Sequence, residues 1–402
     1  METQKLWTKS FISVALSNFF AFVAFYYLLV IFPVYAITEY KTSETIAGLF
    51  VTVFILSAII IRPIAGRWIN TLGKRKVLMM SLLLFFIGSL LYTFIESVTG
   101  LLILRFFHGI GFGMITTIMG AIVADIIPEK RRGEGMGYYA LTMNLAMVIG
   151  PFLGLTAIQN WGMNTTFLIS VIFSFLALLI GINLLFEQKG MTNAKSEKEV
   201  GSFKIGDLFE GSAVRISLVA AFFAVTHASI LSFVSVYAAE IGLVKAGSYF
   251  FVVYAVVLLI SRPFTGKWYD RYGENAIIYP SLLLFAVGLF LLSSADSAFL
   301  FLLSAAFIGL GWGTTFPSLQ TIAIAQSPPH KRGLATATFL SIFDLGIAFG
   351  SFAVGVIGAA YGFGLLYLVN SFYVFIGIAV YYVLHGKISA LLRKKEANSI
   401  IE

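Results

Sequence analysis

Apolar residues run along this chain in blocks of about twenty, with the polar residues gathered between the blocks. Taken as helices, the blocks predict spans over approximately 10–37, 45–66, 77–95, 99–126, 134–157, 164–186, 216–240, 246–266, 276–294, 298–325, 334–358 and 363–385. A helix of about 20 largely apolar residues crosses a bilayer, whereas the strands of a membrane barrel need only about 10 alternating ones. These runs are too long and too unbroken for strands. Of the 402 residues, 59% are hydrophobic and 11% charged, against about 25% charged in a soluble domain. The fold class expected is therefore an all-α integral membrane protein of about twelve transmembrane helices. The first block far exceeds a signal-peptide apolar region and ends in no small-residue cleavage site, so it is read as a retained first helix.

Charge refines the picture. The net charge is +8, which invites a nucleic-acid reading until its distribution is followed. With an even number of spans, 22 of the 27 Lys and Arg fall on the side of the two termini, in 1–9, 67–76, 127–133, 187–215, 267–275, 326–333 and 386–402. Lys41 and Lys245 lie on the other side, and Arg62, Arg105 and Arg262 lie within spans. This positive-inside bias places both termini in the cytoplasm and the chain in the cell membrane. No nucleic-acid partner is expected. No Cys occurs, which excludes disulfides, thiol catalysis and thiolate metal sites.

The longest polar stretch, "EQKGMTNAKSEKEVGSFKIGDLFEG" from Glu187, reads as a cytoplasmic linker. It gives three parts: a first six-helix bundle over 1–186, the linker over 187–212, and a second six-helix bundle over 213–402 with a short basic tail. The halves repeat each other 200 residues apart. "RPIAGRW" at Arg62 returns as "RPFTGKW" at Arg262, "GIGFG" at Gly109 as "GLGWG" at Gly309, and "PEKRRG" at Pro128 as "PPHKRG" at Pro328. Six spans per half leave the halves in the same orientation, as parallel pseudo-symmetric repeats. Secondary transporters use this architecture, with substrate bound near the midplane where the repeats meet.

Three motifs narrow the class. "GRWINTLGKRK", with Gly66, Arg67, Gly73 and Lys74, joins spans two and three. It resembles the signature loop of the major facilitator superfamily, with Asn70 where the family has an acid. The second copy has Gly266, Asp270 and Gly273, and keeps the acid while Glu274 and Asn275 replace the basic residues. In that family the loop acts as a cytoplasmic latch, and Asp125 at the end of span four is the acid expected to pair with Arg67 or Lys74. "RFFHGIGFG" resembles the family's span-four motif, whose Arg is linked to proton transfer in proton-coupled members. Here that Arg is Arg105, roughly 6 residues inside its span, with His108 one turn on. An alternative role for Arg105 is structural, bonding backbone carbonyls. "GYYALTMNLAMVIGPFLG", with Gly137, Ala146, Gly150, Pro151 and Gly154, resembles the antiporter signature, departing at Ala146 and at Leu155.

The resemblance covers nearly the whole chain. It implies a drug/proton antiporter that exports a small amphiphilic compound as protons enter, as a monomer with no cofactor beyond the proton gradient. Asp344 is the one acid near the middle of a span, and a carboxylate in a low-dielectric site can exchange a proton near neutral pH. It leads the proton-coupling candidates, followed by Arg105, His108 and His227; a cargo contact or a structural bond is the other reading of Asp344. Asn18, Asn144, Gln320 and Asn370 are candidate polar groups of a substrate cavity. No Walker loop, metal-ligand spacing or Ser-His-Asp arrangement is present, so neither ATP drive nor a metal nor an enzyme is expected. The rival on the same fold is a proton-linked importer of a polar metabolite or sugar. More remote rivals are a lipid transporter or a membrane-embedded enzyme.

Overall fold

The computed structural model describes residues 5–128, 131–187, 209–328, 331–387, 389 and 391. The helices are α1 (Lys9–Thr38), α2 (Glu44–Leu72), α3 (Lys74–Leu91), α4 (Val98–Ile126), α5 (Arg132–Glu187), α6 (Gly211–Glu240), α7 (Val244–Tyr272), α8 (Glu274–Ser293), α9 (Ala298–Ala325), α10 (Arg332–Tyr361) and α11 (Phe363–Tyr381). A single π turn over Tyr382–Gly386 closes the series. No strand occurs among the described residues. Among the described residues eleven segments are long and apolar enough to cross a membrane, two of them within α5; α3, which opens on Lys74, Arg75 and Lys76, is a further apolar helix of 18 residues. In lipid every backbone polar group must be satisfied within its own segment, which is why these apolar runs fold as helices.

The starts and joints obey the repeat. Ser97 caps α4 by accepting from the Gly100 N–H at 3.2 Å, and Ser297 caps α9 by accepting from Leu300 at 3.4 Å. Gly73 and Gly273 are the single-residue joints before α3 and α8, at φ 85° and 82°. Gly162 and Gly362 play the same part 200 residues apart, at φ 69° and 80°. A residue with a side chain is strained at such positive φ. The sequence pattern predicts separate helices over 134–157 and 164–186. The structure has both, joined within α5 by the single non-helical residue Gly162, which takes the place of a longer loop.

The chain divides into two compact units, Met1–Thr42 with Leu49–Lys204, and Ile205–Glu402 with Ser43–Gly48. In the first, α1 packs along α5 and α4, and α3 packs on α4 and α5. In the second, α6 packs on α10, α9 and α11, while α8 packs on α9 and α11. The glycine repeats explain the closeness of this packing. A Cβ on Gly111 would sit 2.9 Å from the Phe85 backbone nitrogen, and one on Gly311 would sit 2.5 Å from that of Phe285. Both units thus bring the same pair of helices into backbone contact at the same register.

Candidate functional site

In the first unit the candidate residues of α4 fall into one buried polar node. Arg105 is fully buried, and its Nε donates to the Phe50 carbonyl at 3.0 Å. Its guanidinium lies over the rings of Phe54 at 4.2 Å and Phe32 at 4.7 Å. The ring faces supply the attraction that an acid would otherwise give. Its two terminal nitrogens have no hydrogen-bond partner among the described residues; Tyr92 interacts with the guanidinium electrostatically.

His108 lies one turn along α4 and is also fully buried. Its Nδ1 is 3.0 Å from the Tyr92 hydroxyl and its Nε2 is 3.1 Å from the Ser89 hydroxyl. The ring stacks on Phe85 at 4.3 Å, in the space left by Gly88, where a Cβ would approach it to 2.8 Å. Hydroxyl groups both donate and accept, so this pair can satisfy the imidazole in either protonation state. The spacing of Arg105 and His108 is legible in the sequence. The contribution of Ser89 on α3 and of Tyr92 just past its end is not, because only the fold brings them to α4.

The loop candidates are placed as follows. Lys74 and Asp125 form an ion pair between the start of α3 and the end of α4. The Arg67 carbonyl accepts from the Thr71 hydroxyl at 3.3 Å, and Gly66 has open space around it. The side chains of Asn70, Asp270 and Asn144 lie outside the described residues, as do the surroundings of Gly137 and Gly266. In the second unit Glu274 does not mirror Lys74. Its carboxylate meets His385 Nε2 at 2.6 Å, while Asn275 donates to the Gly386 carbonyl at 2.9 Å. Both tie the start of α8 to the π turn that follows α11.

Along α5, the antiporter-like residues face α1. A Cβ on Gly150 would lie 2.9 Å from the Tyr27 nitrogen, and one on Gly154 would lie 2.9 Å from the Tyr27 carbonyl. Ala146 is fully buried and Pro151 sits inside the helix. Among the cavity candidates, Asn18 is fully buried with both amide atoms unpartnered among the described residues. Asn370 donates to the Ser229 hydroxyl at 3.2 Å, and Gln320 is buried on α9.

His227 lies in α6, fully buried and stacked on Trp312 of α9 at 4.7 Å. Asp344 is half-buried on α10, with interaction partners of its own. Its neighbour Phe343 stacks against Trp312 at 6.1 Å. Ahead of α6, Glu210 accepts from the Ser212 hydroxyl at 3.0 Å and pairs with Lys331 at 3.3 Å. The Ser212 hydrogen bond, aided by Lys331, holds the Glu210 carboxyl below its ordinary value. No cluster of metal-ligating side chains occurs among the described residues.

Comparison with known proteins gives this arrangement its family. The chain is 27% identical over 346 residues to the staphylopine export protein of Staphylococcus aureus, covering 81% of this chain and 84% of that one. It is 26% identical over 357 residues to multidrug resistance protein 1 of Bacillus subtilis, covering 86% and 89%. Its fold matches, at a TM-score of 0.76, 15% identity and 95% and 98% coverage, the crystal structure of a bacterial homolog of the human lysosomal transporter Spinster. The model of the Major Facilitator Superfamily matches residues 14–351 and 216–399. The family and these relatives are transporters rather than enzymes, and the two named relatives are of the efflux type. The chain is a multi-pass membrane transporter belonging to the major facilitator superfamily.

Proposed function

We propose that this transporter exports a small amphiphilic compound by proton antiport. The bundles over 1–186 and 213–402, joined by the linker 187–212, would alternate access to a substrate site from either side. It works in the cell membrane as a monomer with both termini cytoplasmic, and the proton gradient is its only drive. Asp344, Arg105, His108 and His227 are the coupling candidates. The loops at Gly66 and Gly266 gate the cytoplasmic side.

One observation carries the coupling role of the α4 node. Two hundred residues on, the counterparts of Arg105, His108, Ser89 and Tyr92 are Ala305, Ile308, Leu289 and Leu292. The second unit builds the same close packing with none of these polar groups, so the bundle does not need them to fold. A buried charge within the membrane is costly and is by default functional. The relatives' names, staphylopine export and multidrug resistance, support export over import.

The test uses inverted membrane vesicles holding an imposed pH gradient and a panel of fluorescent amphiphiles. At least one compound should dissipate the gradient as it is taken up. A panel with no effect on the gradient, or uptake that leaves it untouched, counts against antiport.

A further inference from the structure

Among the described residues the second unit carries several polar side-chain atoms that its own packing leaves without partners, and four of them lie on or against one aromatic strip. Trp312, Phe316 and Gln320 follow one another at i, i+4 and i+8 along a ridge of α9. Phe316 lies 4.7 Å from Phe343 and 5.7 Å from Phe339, both of α10. His227 of α6 lies flat on Trp312, the ring planes 25° apart. His227 is 1% exposed, Trp312 0% and Gln320 5%. Both ring nitrogens of His227, the indole nitrogen of Trp312 and the amide nitrogen of Gln320 have no hydrogen-bond partner among the described residues. Buried polar groups are nearly always paired, so four such atoms on one strip call for an explanation.

The first unit provides the control. Phe112 stands where Trp312 stands, Tyr27 where His227 stands, and Gly120 where Gln320 stands. The geometry is shared: Phe85 and Phe112 lie 6.1 Å apart at 35°, and Phe285 and Trp312 lie 5.6 Å apart at 39°. Yet Phe112 and Gly120 have no polar side-chain atom, and the Tyr27 hydroxyl donates to the Thr166 carbonyl at 2.9 Å. The layer therefore packs without unpaired polar atoms when packing is all it does.

The character of the unpaired atoms defines the missing partner. The indole N–H and the amide NH2 only donate, and a neutral imidazole adds one donor and one acceptor. Donors prevail, and none of the four atoms is a carboxylate oxygen that would favour a cation. The surrounding rings of Trp312, Phe316 and Phe343 favour a flat apolar body. We infer that His227, Trp312 and Gln320 form a cargo-binding subsite for a planar aromatic compound bearing oxygen acceptors, a ring carbonyl or carboxylate, on its edge. The subsite is closed over by α6, α9 and α10, so the cargo engages it as these helices part. This inference rests on the export reading and names the chemistry of its cargo.

Binding to the purified full chain in detergent, with no gradient, tests it by calorimetry. The probes are coumarin-3-carboxylate, flat and acceptor-rich, and N-methylquinolinium, equally flat but cationic and without oxygen. Trp312→Phe installs the first unit's residue and keeps a ring, and His227→Phe keeps the stack; a thermal melt confirms that each variant is folded. Each should weaken coumarin-3-carboxylate about tenfold while leaving any quinolinium binding within about twofold. Failure of the wild-type chain to bind coumarin-3-carboxylate, a preference for the cation, or unchanged affinity in both variants overturns the subsite. Unchanged affinity would mean that the unpaired atoms serve ordered water only. Binding that follows the prediction in a protein unable to dissipate a pH gradient would contradict antiport and leave the subsite standing.

Discussion

Arg105 and His108 can each be exchanged for the side chain that the second unit uses at the same position. Arg105→Ala removes a buried charge that, among the described residues, meets ring faces, the Phe50 carbonyl and the Tyr92 hydroxyl rather than an acid. Relief of the desolvation of that charge offsets the lost packing. The melting temperature of the variant should therefore hold or rise while gradient-driven export falls about tenfold or more; a melt and a transport assay read the two effects separately. His108→Ile leaves the Tyr92 and Ser89 hydroxyls without their partner, at a cost of about 1–3 kcal/mol for each buried group. That variant should melt lower, and it should lose gradient-driven export while keeping exchange of cargo in the absence of a gradient. A His108→Ile protein that exports at the wild-type rate would show that the imidazole only packs.

Helix contacts are governed by where a side chain is missing. On α5, Gly150 lets the chain approach the backbone of α1 at Tyr27. Gly150→Val should destabilise the first unit by about 1–3 kcal/mol through overpacking, measured by thermal unfolding in detergent. The entry to α6 responds to acid. Because the Ser212 hydrogen bond and Lys331 hold Glu210 below its ordinary value, their contribution is complete above the ordinary carboxylate range and is lost as pH falls through the lowered value. Melting temperature should therefore decline between about pH 5 and pH 3 more steeply in wild type than in Glu210→Gln. Helices and their glycine contacts were legible beforehand, because apolar length and a repeat 200 residues apart are properties of the chain itself. The break between 157 and 164 was legible too; that one glycine, Gly162, would make the whole joint was not, since a gap in the apolar pattern does not say how few residues turn the chain. Nor were Tyr92 beside His108 or Trp312 beneath His227, which meet only through packing between helices distant in sequence.

Two units with one skeleton and different chemistry make up the molecule. The first buries Arg105 and His108 in one polar node, where the imidazole is partnered and the terminal guanidinium nitrogens are not; the second buries His227, Trp312 and Gln320 with polar atoms unpaired and carries Asp344 on α10. Under the proposed antiport the α4 node with Asp344 would handle the proton and the α9 strip would recognise the cargo; the chain itself is a transporter of the major facilitator superfamily. Asp344→Asn should abolish gradient-driven movement and leave binding, read by transport and calorimetry on the same preparation. The most direct test of proton-coupled export follows the pH gradient itself. Inverted vesicles containing the wild-type chain, acidified inside and reported by an acridine dye, should lose their gradient when a transported compound is added. Vesicles containing Asp344→Asn should hold it. Uptake of the compound with the gradient unchanged in wild type would contradict the account.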